Sequence, residues 1–197
     1  AIYAPNGTVA ANYYTDFGVS LKTIDFVLGT AGTEVNEKIE EGIAHIQDNI
    51  LTGQVVTNMV ALCSPTFFAK VIKHATMKEA YKYYSSTQEL LRSRLGTGLY
   101  RRFEHGGITF IEYRGSYNGT PLIPVGDAYL IPQGTEDMFI TYFSPANKFS
   151  HVNTLGEEAY AFTVTDPSDE KVTIQTEHNA LHLVRRPACV VRLFSSN

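Results

Sequence analysis

FEHGGITFIEYRG, residues 103–115, contains the clearest strand pattern in the chain. In the run ITFIEY, successive residues fall on opposite faces of an extended segment, and both faces carry bulky side chains. Gly106 and Gly107 precede this run and Gly115 follows it, and glycine lets a chain turn sharply. The pattern predicts a strand that is covered on both faces and bounded by turns, without a nucleophile or a metal cage.

Composition bounds the class of protein. The chain has 197 residues, of which 44% are hydrophobic, so it forms one large or two small globular domains. Charged residues make up 18% of the chain, which is low for a soluble domain. The surface must therefore be rich in uncharged polar residues, Gly and Tyr, and such a surface favours contact with other proteins. The net charge is −4, and the longest basic clusters are the pairs Arg101-Arg102 and Arg185-Arg186. This pattern argues against a dedicated nucleic-acid binder.

The two cysteines indicate a reducing setting. Cys63 and Cys189 lie in apolar runs, where a free thiol packs as a small hydrophobic group. Because neither has the spaced partners of a zinc or redox motif, a cytoplasmic protein is expected. The sequence also lacks an apolar run of about 18 residues and a signal-peptide pattern, so neither a membrane-embedded nor a secreted protein is predicted.

The first quarter of the chain changes from a strand pattern to a helix pattern. Residues 17–28 predict a strand, and Thr33 is the predicted cap of a helix that Gly53 ends. Apolar residues recur every three or four positions from Val35 to Ile50 and form one stripe. The acidic residues on the other side of this helix are interpreted as a solvated face.

The remainder predicts an α+β fold. VVTNMVALC reads as a buried strand, and Ser64 followed by proline is a helix start, with further helices around Met77–Tyr84 and Thr87–Leu95. From Leu99 onward the chain shows short strand patterns, including a long hairpin between Thr163 and Thr176. Strands and helices do not alternate regularly, and no phosphate-binding glycine loop is present, so a dinucleotide-binding fold is not predicted.

Candidate chemical groups do not combine into a site. His178 and His182 are four apart but lie among strand patterns and lack a third ligand. Glu136-Asp137 and Glu157-Glu158 are adjacent carboxylates, which point to opposite faces of a strand. Ser64 and Ser144 read as a helix cap and a turn residue. The prediction is therefore no catalytic residue, no cofactor and no metal.

Ordered motifs in the second half of the chain resemble a known signature. GGITFIEYRG is followed by a proline–glycine segment, an aromatic-rich strand, a Pro-Ala turn, a VNTLG stretch, a Tyr-Ala strand and a final strand after Arg-Pro. The upstream VALCSPTFFAKVI and KTIDF fit the same pattern. Over most of its length the chain thus resembles the lambda-type major capsid protein E family of tailed bacteriophages and their prophages. The positions in the second half are Gly106–Gly115, Pro132–Gly134, Phe139–Phe143, Pro145-Ala146, Val152–Gly156, Tyr160-Ala161 and Arg186-Pro187.

The resemblance implies the tailed-phage major capsid fold, with a peripheral subdomain and an axial subdomain. Residues 1–53 would belong to the peripheral subdomain and include its spine helix, and residues 54–138 would form the axial subdomain. Residues 139–197 would supply peripheral-sheet strands and the return to the core. Family members are longer at the N-terminus, so the N-terminal arm and extended loop are expected to be largely missing from this chain.

The implied function is that of a non-enzymatic head subunit. The resemblance implies pentamers and hexamers of an icosahedral shell that encloses double-stranded DNA without binding it specifically, in the virion, after assembly in the bacterial cytoplasm. It also implies a scaffolding function, a portal and a decoration protein as partners, and no membrane. Arg101, Arg102 and Arg114 are candidate subunit contacts.

The sequence is compatible with two alternative functions. One is a nanocompartment shell subunit of the same fold. The other is a small cytosolic hydrolase that uses some of Ser64, His105, His151 and His178, and this alternative requires those side chains to converge on one pocket.

Overall fold

A computed structural model describes residues 2–3, 8–50, 54–78, 80–82, 101–136, 138–168 and 170–197. These residues form the predicted α+β mixture, organised in two compact units. The first unit comprises Ala1–Glu136 together with Arg186–Asn197, and the second comprises Asp137–Arg185. The assignment of residues 54–138 to an axial subdomain stays a prediction.

The elements are numbered along the chain. The strands of the first unit are β1 Ile2–Tyr3, β2 Val9–Ala11, β3 Lys22–Asp25, β4 Asn58–Cys63, β5 Arg102–His105, β6 Ile108–Glu112, β7 Ser116–Tyr117, β8 Thr120–Pro121, β9 Asp127–Gln133 and β14 Val191–Phe194. Its α-helices are α1 Tyr13–Asp16, α2 Val35–Asn49 and α3 Pro65–Lys73. The strands of the second unit are β10 Phe139–Phe143, β11 Tyr160–Thr165, β12 Val172–Glu177 and β13 Ala180–Val184. Short 3-10 helices span Phe149–His151 and Pro187–Cys189.

A six-stranded mixed sheet is the centre of the first unit. Its strand order is β3-β14-β9-β4-β6-β5, in which β3 and β14 are parallel, β4 and β6 are parallel, and the other pairs are antiparallel. Its strands come from all three of the segments 1–53, 54–138 and 139–197.

The strand predicted within residues 103–115 is confirmed as a β5–β6 hairpin that pairs Phe103 with Phe110. Gly106 and Gly107 form its turn, with φ angles of 58° and 79° that favour glycine. Ile108, Phe110 and Glu112 are buried on one face of β6, and the residues between them are half-buried.

Helix α2 covers part of this sheet with the predicted apolar stripe. Val35, Ile39 and Ile46 are buried in the core. Gly42 belongs to the same face because a Cβ there would lie 3.0 Å from the Leu130 side chain. The stripe lets a helix that is otherwise polar bury one face against the strands.

The predicted N-cap residue of α2, Thr33, is wrong. The Thr33 hydroxyl donates to the Val27 carbonyl oxygen (3.0 Å), so it is bonded to the preceding turn instead of the helix. Glu34 is the N-cap residue and forms no side-chain capping hydrogen bond. Gly53, the predicted helix end, lies outside the described residues, and α2 ends at Asn49.

Ser64 caps α3 as predicted. Its hydroxyl oxygen accepts hydrogen bonds from the backbone N–H groups of Phe67 (3.3 Å) and Gly126 (3.1 Å). Proline follows at the first helical position, and Phe67, Phe68 and Val71 are buried. The hydroxyl thus joins the helix start to the loop before β9.

The helices predicted after α3 are only partly within the described chain. Residues 75–78 and 80–82 are helical, and Met77 is buried in the core. The helix predicted at Thr87–Leu95 lies outside the described residues.

The first predicted strand is shorter than expected. Only Lys22–Asp25 of residues 17–28 is a strand. The short helix α1, which the Asn12 side chain caps by accepting a hydrogen bond from the Tyr14 N–H, precedes this segment, and the N–H groups of residues 17–19 donate to carbonyl oxygens of that helix. Gly18, with φ of 64°, follows that helix. A capping asparagine therefore sets the local structure here in place of the β-branched pattern.

The second unit contains two antiparallel strand pairs, β10 with β13 and β11 with β12. The predicted hairpin is confirmed by the pairing of Thr163 with Ile174, and the Asp166 N–H donates to the Lys171 carbonyl oxygen at its end. Strand β13 was not predicted, because its sequence ALHLV is too short for a clear alternation.

Among the described residues, no helix is long and apolar enough to cross a membrane. Cys63 and Cys189 are free thiols and buried, as predicted.

Candidate functional site

Two of the three candidate contact arginines converge on one buried carboxylate. The Arg101 Nε lies 2.5 Å from Glu112 Oε2, and the Arg114 Nη2 lies 2.5 Å from Glu112 Oε1. The Glu112 side chain is 4% exposed, whereas those of Arg101 and Arg114 are 43% and 65% exposed. The arrangement neutralises a carboxylate that would otherwise be buried without a partner.

Strand register explains how these residues meet. Glu112 falls on the buried face of β6, and the pairing of Arg102 with Ile111 places Arg101 opposite Glu112. The Glu112 N–H donates to the Arg101 carbonyl oxygen (2.9 Å), which fixes this alignment. The Arg101 guanidinium also lies 5.2 Å from the centroid of the Phe68 ring, a cation–π contact.

The two arginines change the acidity of the carboxyl group. The hydrogen bond from Arg101 and, after it, the ion pair with Arg114 hold the pKa of Glu112 below its usual range, against the opposing effect of burial. Glu112 is therefore ionised at neutral pH, and the three side chains form a charged structural cluster in the first unit.

Arg102 differs from the other two candidates. It lies on the exposed face of β5, next to the buried Phe103. No ion pair of Arg102 is found within the part of the chain that the structure describes. Arg102 is thus exposed without a paired carboxylate among the described residues, whereas Arg101 and Arg114 are partly exposed but paired with Glu112.

A second buried ion pair was not predicted from the sequence. Arg192 on β14 donates to Asp127 on β9 through two nitrogens, at 2.8 and 2.9 Å, in a bidentate geometry. The two residues are 65 positions apart, and only the antiparallel β14–β9 register brings them together. The sequence signal that could have indicated this pair is a single charged residue in each of two otherwise apolar strand patterns.

The four residues of the hydrolase alternative are divided between the two units. Ser64 and His105 belong to the first unit, and His151 and His178 belong to the second. The Ser64 hydroxyl caps α3, and the His105 ring lies 2.9 Å from the Asn36 side-chain oxygen. These contacts account for Ser64 and His105 as structural residues.

The two histidines of the second unit also have structural contacts. The His151 ring packs edge-on against Tyr160 and Phe162, with centroid separations of 5.2 and 5.3 Å. His178 Nδ1 bonds to the Glu158 carbonyl oxygen, and His182 Nδ1 lies 3.0 Å from the Thr141 hydroxyl. The described residues contain no group of three or more metal-ligating side chains.

The second unit carries an exposed surface that has no charge. On one face of the β11–β12 hairpin, every residue is exposed and neutral, and Ile174 is 73% exposed. We call this surface the threonine face; its residues are Ala161, Thr163, Thr165, Val172, Ile174 and Thr176. The opposite face is partly covered, since Tyr160 is buried and Lys148 lies 5.2 Å from the Phe162 ring centroid.

The first unit carries another neutral exposed surface. Residues 115–126, GSYNGTPLIPVG, contain no charged side chain and include the β7–β8 pair, and we call this segment the 115–126 hairpin. Asn118 and Gly119 form its turn, with φ angles of 48° and 76°. Tyr117, Leu122 and Val125 are all more than half exposed.

The second unit also contains an open groove of about 1260 Å³. Tyr142, Phe149, Val152 and Leu181 contribute apolar side chains to its lining, together with His151 and His178.

Comparison with known proteins identifies the family. The family described as phage major capsid protein E matches residues 1–195. The chain therefore belongs to the phage major capsid protein E family.

Two curated relatives support this assignment. The chain is 44% identical over 205 residues to the major capsid protein of Pseudomonas phage KPP10, covering 96% of the chain and 58% of that protein. It is 25% identical over 213 residues to the major capsid protein of Salmonella phage Felix O1 (isolate Felix O1-VT1), covering 94% and 58%. The chain thus spans little more than half the length of these relatives.

Among solved structures, the chain is similar to a phage-related protein from Bordetella bronchiseptica RB50. The TM-score is 0.42 and the identity 11%, over 89% of this chain and 56% of that one.

Proposed function

We propose that the protein is a structural subunit of a phage or prophage head and assembles into the pentamers and hexamers of an icosahedral shell around double-stranded DNA. The match of residues 1–195 to the major capsid protein E family carries the proposal. Its place would be the virion capsid, after assembly in the host cytoplasm. A scaffolding function, a portal and a decoration protein would act with it.

The charges of the chain support an enclosing role without tight DNA binding. Nonspecific affinity for DNA depends on many Lys and Arg side chains that neutralise phosphates. The chain has 16 basic and 20 acidic residues, and two of its basic side chains, Arg101 and Arg114, are paired with Glu112. A wall of this charge would surround packaged DNA without holding it.

The proposal includes a division of labour along the chain. Residues 1–53 and 139–197 would serve the peripheral subdomain, with α2 as the spine helix, and residues 54–138 would serve the axial subdomain. Of the candidate contacts Arg101, Arg102 and Arg114, we propose Arg102 for a salt-sensitive contact with a neighbouring subunit because it is exposed and has no ion pair among the described residues. The carboxylate that pairs with Arg101 and Arg114 suits those two for holding β5 and β6 together.

The enclosed molecule provides the test of the proposal. Particles made from the complete reading frame in the host would be treated with nuclease and then opened. Protected double-stranded DNA is expected. Particles that hold a protein and no DNA would contradict the proposed head function and indicate a nanocompartment.

Arg102 has a separate test in the same particles. Arg102→Glu is expected to lower the yield of shells at least tenfold, whereas Lys73→Glu, at another exposed cation of the first unit, is expected to leave it unchanged. Equal yields for both variants would show that Arg102 makes no subunit contact.

A further inference from the structure

The threonine face is a neutral surface that is too small to hold two proteins together by itself. Strands β11 and β12 have six residues each. At about 3.4 Å per residue and about 4.8 Å between strands, the face is roughly 20 Å long and 10 Å wide, a footprint of about 200 Å². A stable interface of standard size buries about 800 Å² on each partner. This face therefore suits one contact among several in a larger assembly.

An isolated two-stranded hairpin also needs covering. Such hairpins are marginally stable in water unless further strands or another surface pack on them. One face of this hairpin is packed by His151 and Lys148 through Tyr160 and Phe162. The threonine face has Val172 and Ile174 exposed at 64% and 73%, so covering it would remove apolar surface from water.

The charge distribution disfavours one class of partner for this face, the second unit of another copy. The second unit has three basic and seven acidic residues, which gives −4, and the remaining 13 basic and 13 acidic residues of the first unit give zero. Two second units brought together would repel each other, whereas a first unit offers no net repulsion to a second unit. The favoured partner is a neutral surface on a first unit.

The 115–126 hairpin meets these requirements. It has no charged residue, and it exposes Tyr117, Leu122 and Val125. Positive φ angles at Asn118 and Gly119 give the two-residue turn that fits the twist of paired strands, so Tyr117 is held on a defined ribbon. Leu122 directly follows this ribbon, and its N–H donates to the Gly115 carbonyl oxygen (3.0 Å). Ordered apolar side chains lose little conformational entropy when they bind.

We propose that the threonine face of one copy of this chain packs against the 115–126 hairpin of a second copy. The inference rests on the proposed shell function and names one of its subunit contacts. Because two different surfaces meet, the contact is head-to-tail, and repetition of it builds closed rings when the rotation between copies allows closure. Each copy then contacts one neighbour through its threonine face and another neighbour through its 115–126 hairpin.

Cysteine cross-linking between copies that carry different engineered cysteines tests this contact. Ile174→Cys and Leu122→Cys would be introduced into two batches of the full-length protein, which are mixed, assembled and oxidised. Cys63 and Cys189 are buried, so within these 197 residues the engineered thiols are the reactive ones. A disulfide-linked dimer is expected in the mixture and not in either batch alone. Thr173→Cys, on the opposite face of β12, is the matched control and is expected to give at least tenfold less product with Leu122→Cys.

Each other outcome overturns the inference. A dimer from Ile174→Cys alone would show that threonine faces pair with each other. Shells that form without the mixed dimer would remove this contact while leaving the proposed function intact. Failure of the full-length protein without engineered cysteines to form any assembly would overturn both this contact and the proposed function.

A second variant pair reports the contact without a cross-link. Ile174→Asp places a charge on the threonine face and is expected to lower the yield of assemblies at least tenfold. Thr173→Asp adds the same charge to the other face of the same strand and is expected to assemble normally. Equal yields would contradict the inference.

Discussion

Replacing Glu112 by Gln removes the charge at the centre of the Arg101–Glu112–Arg114 cluster while keeping the size of the side chain. Hydrogen bonds to charged groups are worth about 1.5–3 kcal/mol each, and Gln keeps one acceptor oxygen. The arginines are partly exposed, so water replaces part of what they lose. We therefore expect Glu112→Gln to lower the free energy of unfolding by about 2 kcal/mol at pH 7.

The difference between the two proteins should depend on pH in a defined direction. The hydrogen bond from Arg101 and the ion pair with Arg114 lower the pKa of Glu112 in the folded protein, relative to about 4.3 in the unfolded chain. The stabilisation is therefore complete above the unfolded pKa and is lost as the pH falls through the folded pKa. The gap between wild type and Glu112→Gln should be constant between about pH 7 and pH 5 and should close below about pH 4.

Urea unfolding followed by circular dichroism measures this gap at each pH. Hydrogen exchange at pH 7 localises it, since peptides from residues 101–114 should lose protection while those from residues 160–177 should not. Arg102→Gln, on the exposed face of β5, is the matched control and is expected to change stability by less than about 0.5 kcal/mol. A Glu112→Gln effect no larger than the control, or a gap that persists unchanged at pH 3, would refute the reasoning.

Three further results are expected. Ser64→Ala removes the acceptor of the Phe67 N–H and leaves a buried donor unpaired, which should lower the free energy of unfolding by about 2 kcal/mol in urea; no loss would show that the cap is dispensable. Gly119→Ala, at φ of 76°, should cost about 1 kcal/mol in the same assay, and a neutral result would contradict the turn geometry. Burial raises the pKa values of the Cys63 and Cys189 thiols, so a disulfide reagent should modify them only after unfolding, and rapid labelling of the native protein would show that they are accessible.

Local patterns predicted the elements that packing and local chemistry both favour. The β6 alternation, the α2 stripe and the Ser64-Pro65 helix start are each encoded within a few neighbouring residues, and each is confirmed. The predicted cap at Thr33 is wrong because its hydroxyl finds the Val27 carbonyl oxygen, a competing acceptor that sequence spacing does not reveal.

Pairings between distant residues were not predictable in this way. The alignment of Arg101 with Glu112 depends on the β5–β6 register, and the Arg192–Asp127 pair depends on the β14–β9 register. A sequence without its register shows arginines and carboxylates but not which of them meet. The candidates Arg101 and Arg114 are therefore paired with Glu112 although their side chains are partly exposed, and no ion pair of Arg102 is found among the described residues.

Assembly of the protein is the central claim, and electron microscopy with light scattering tests it most directly. The complete reading frame would be compared with the 197-residue chain under the same conditions. Closed shells or rings from the complete frame are expected. A protein that stays strictly monomeric in both forms, even with a scaffolding partner and under crowding, would contradict the capsid function.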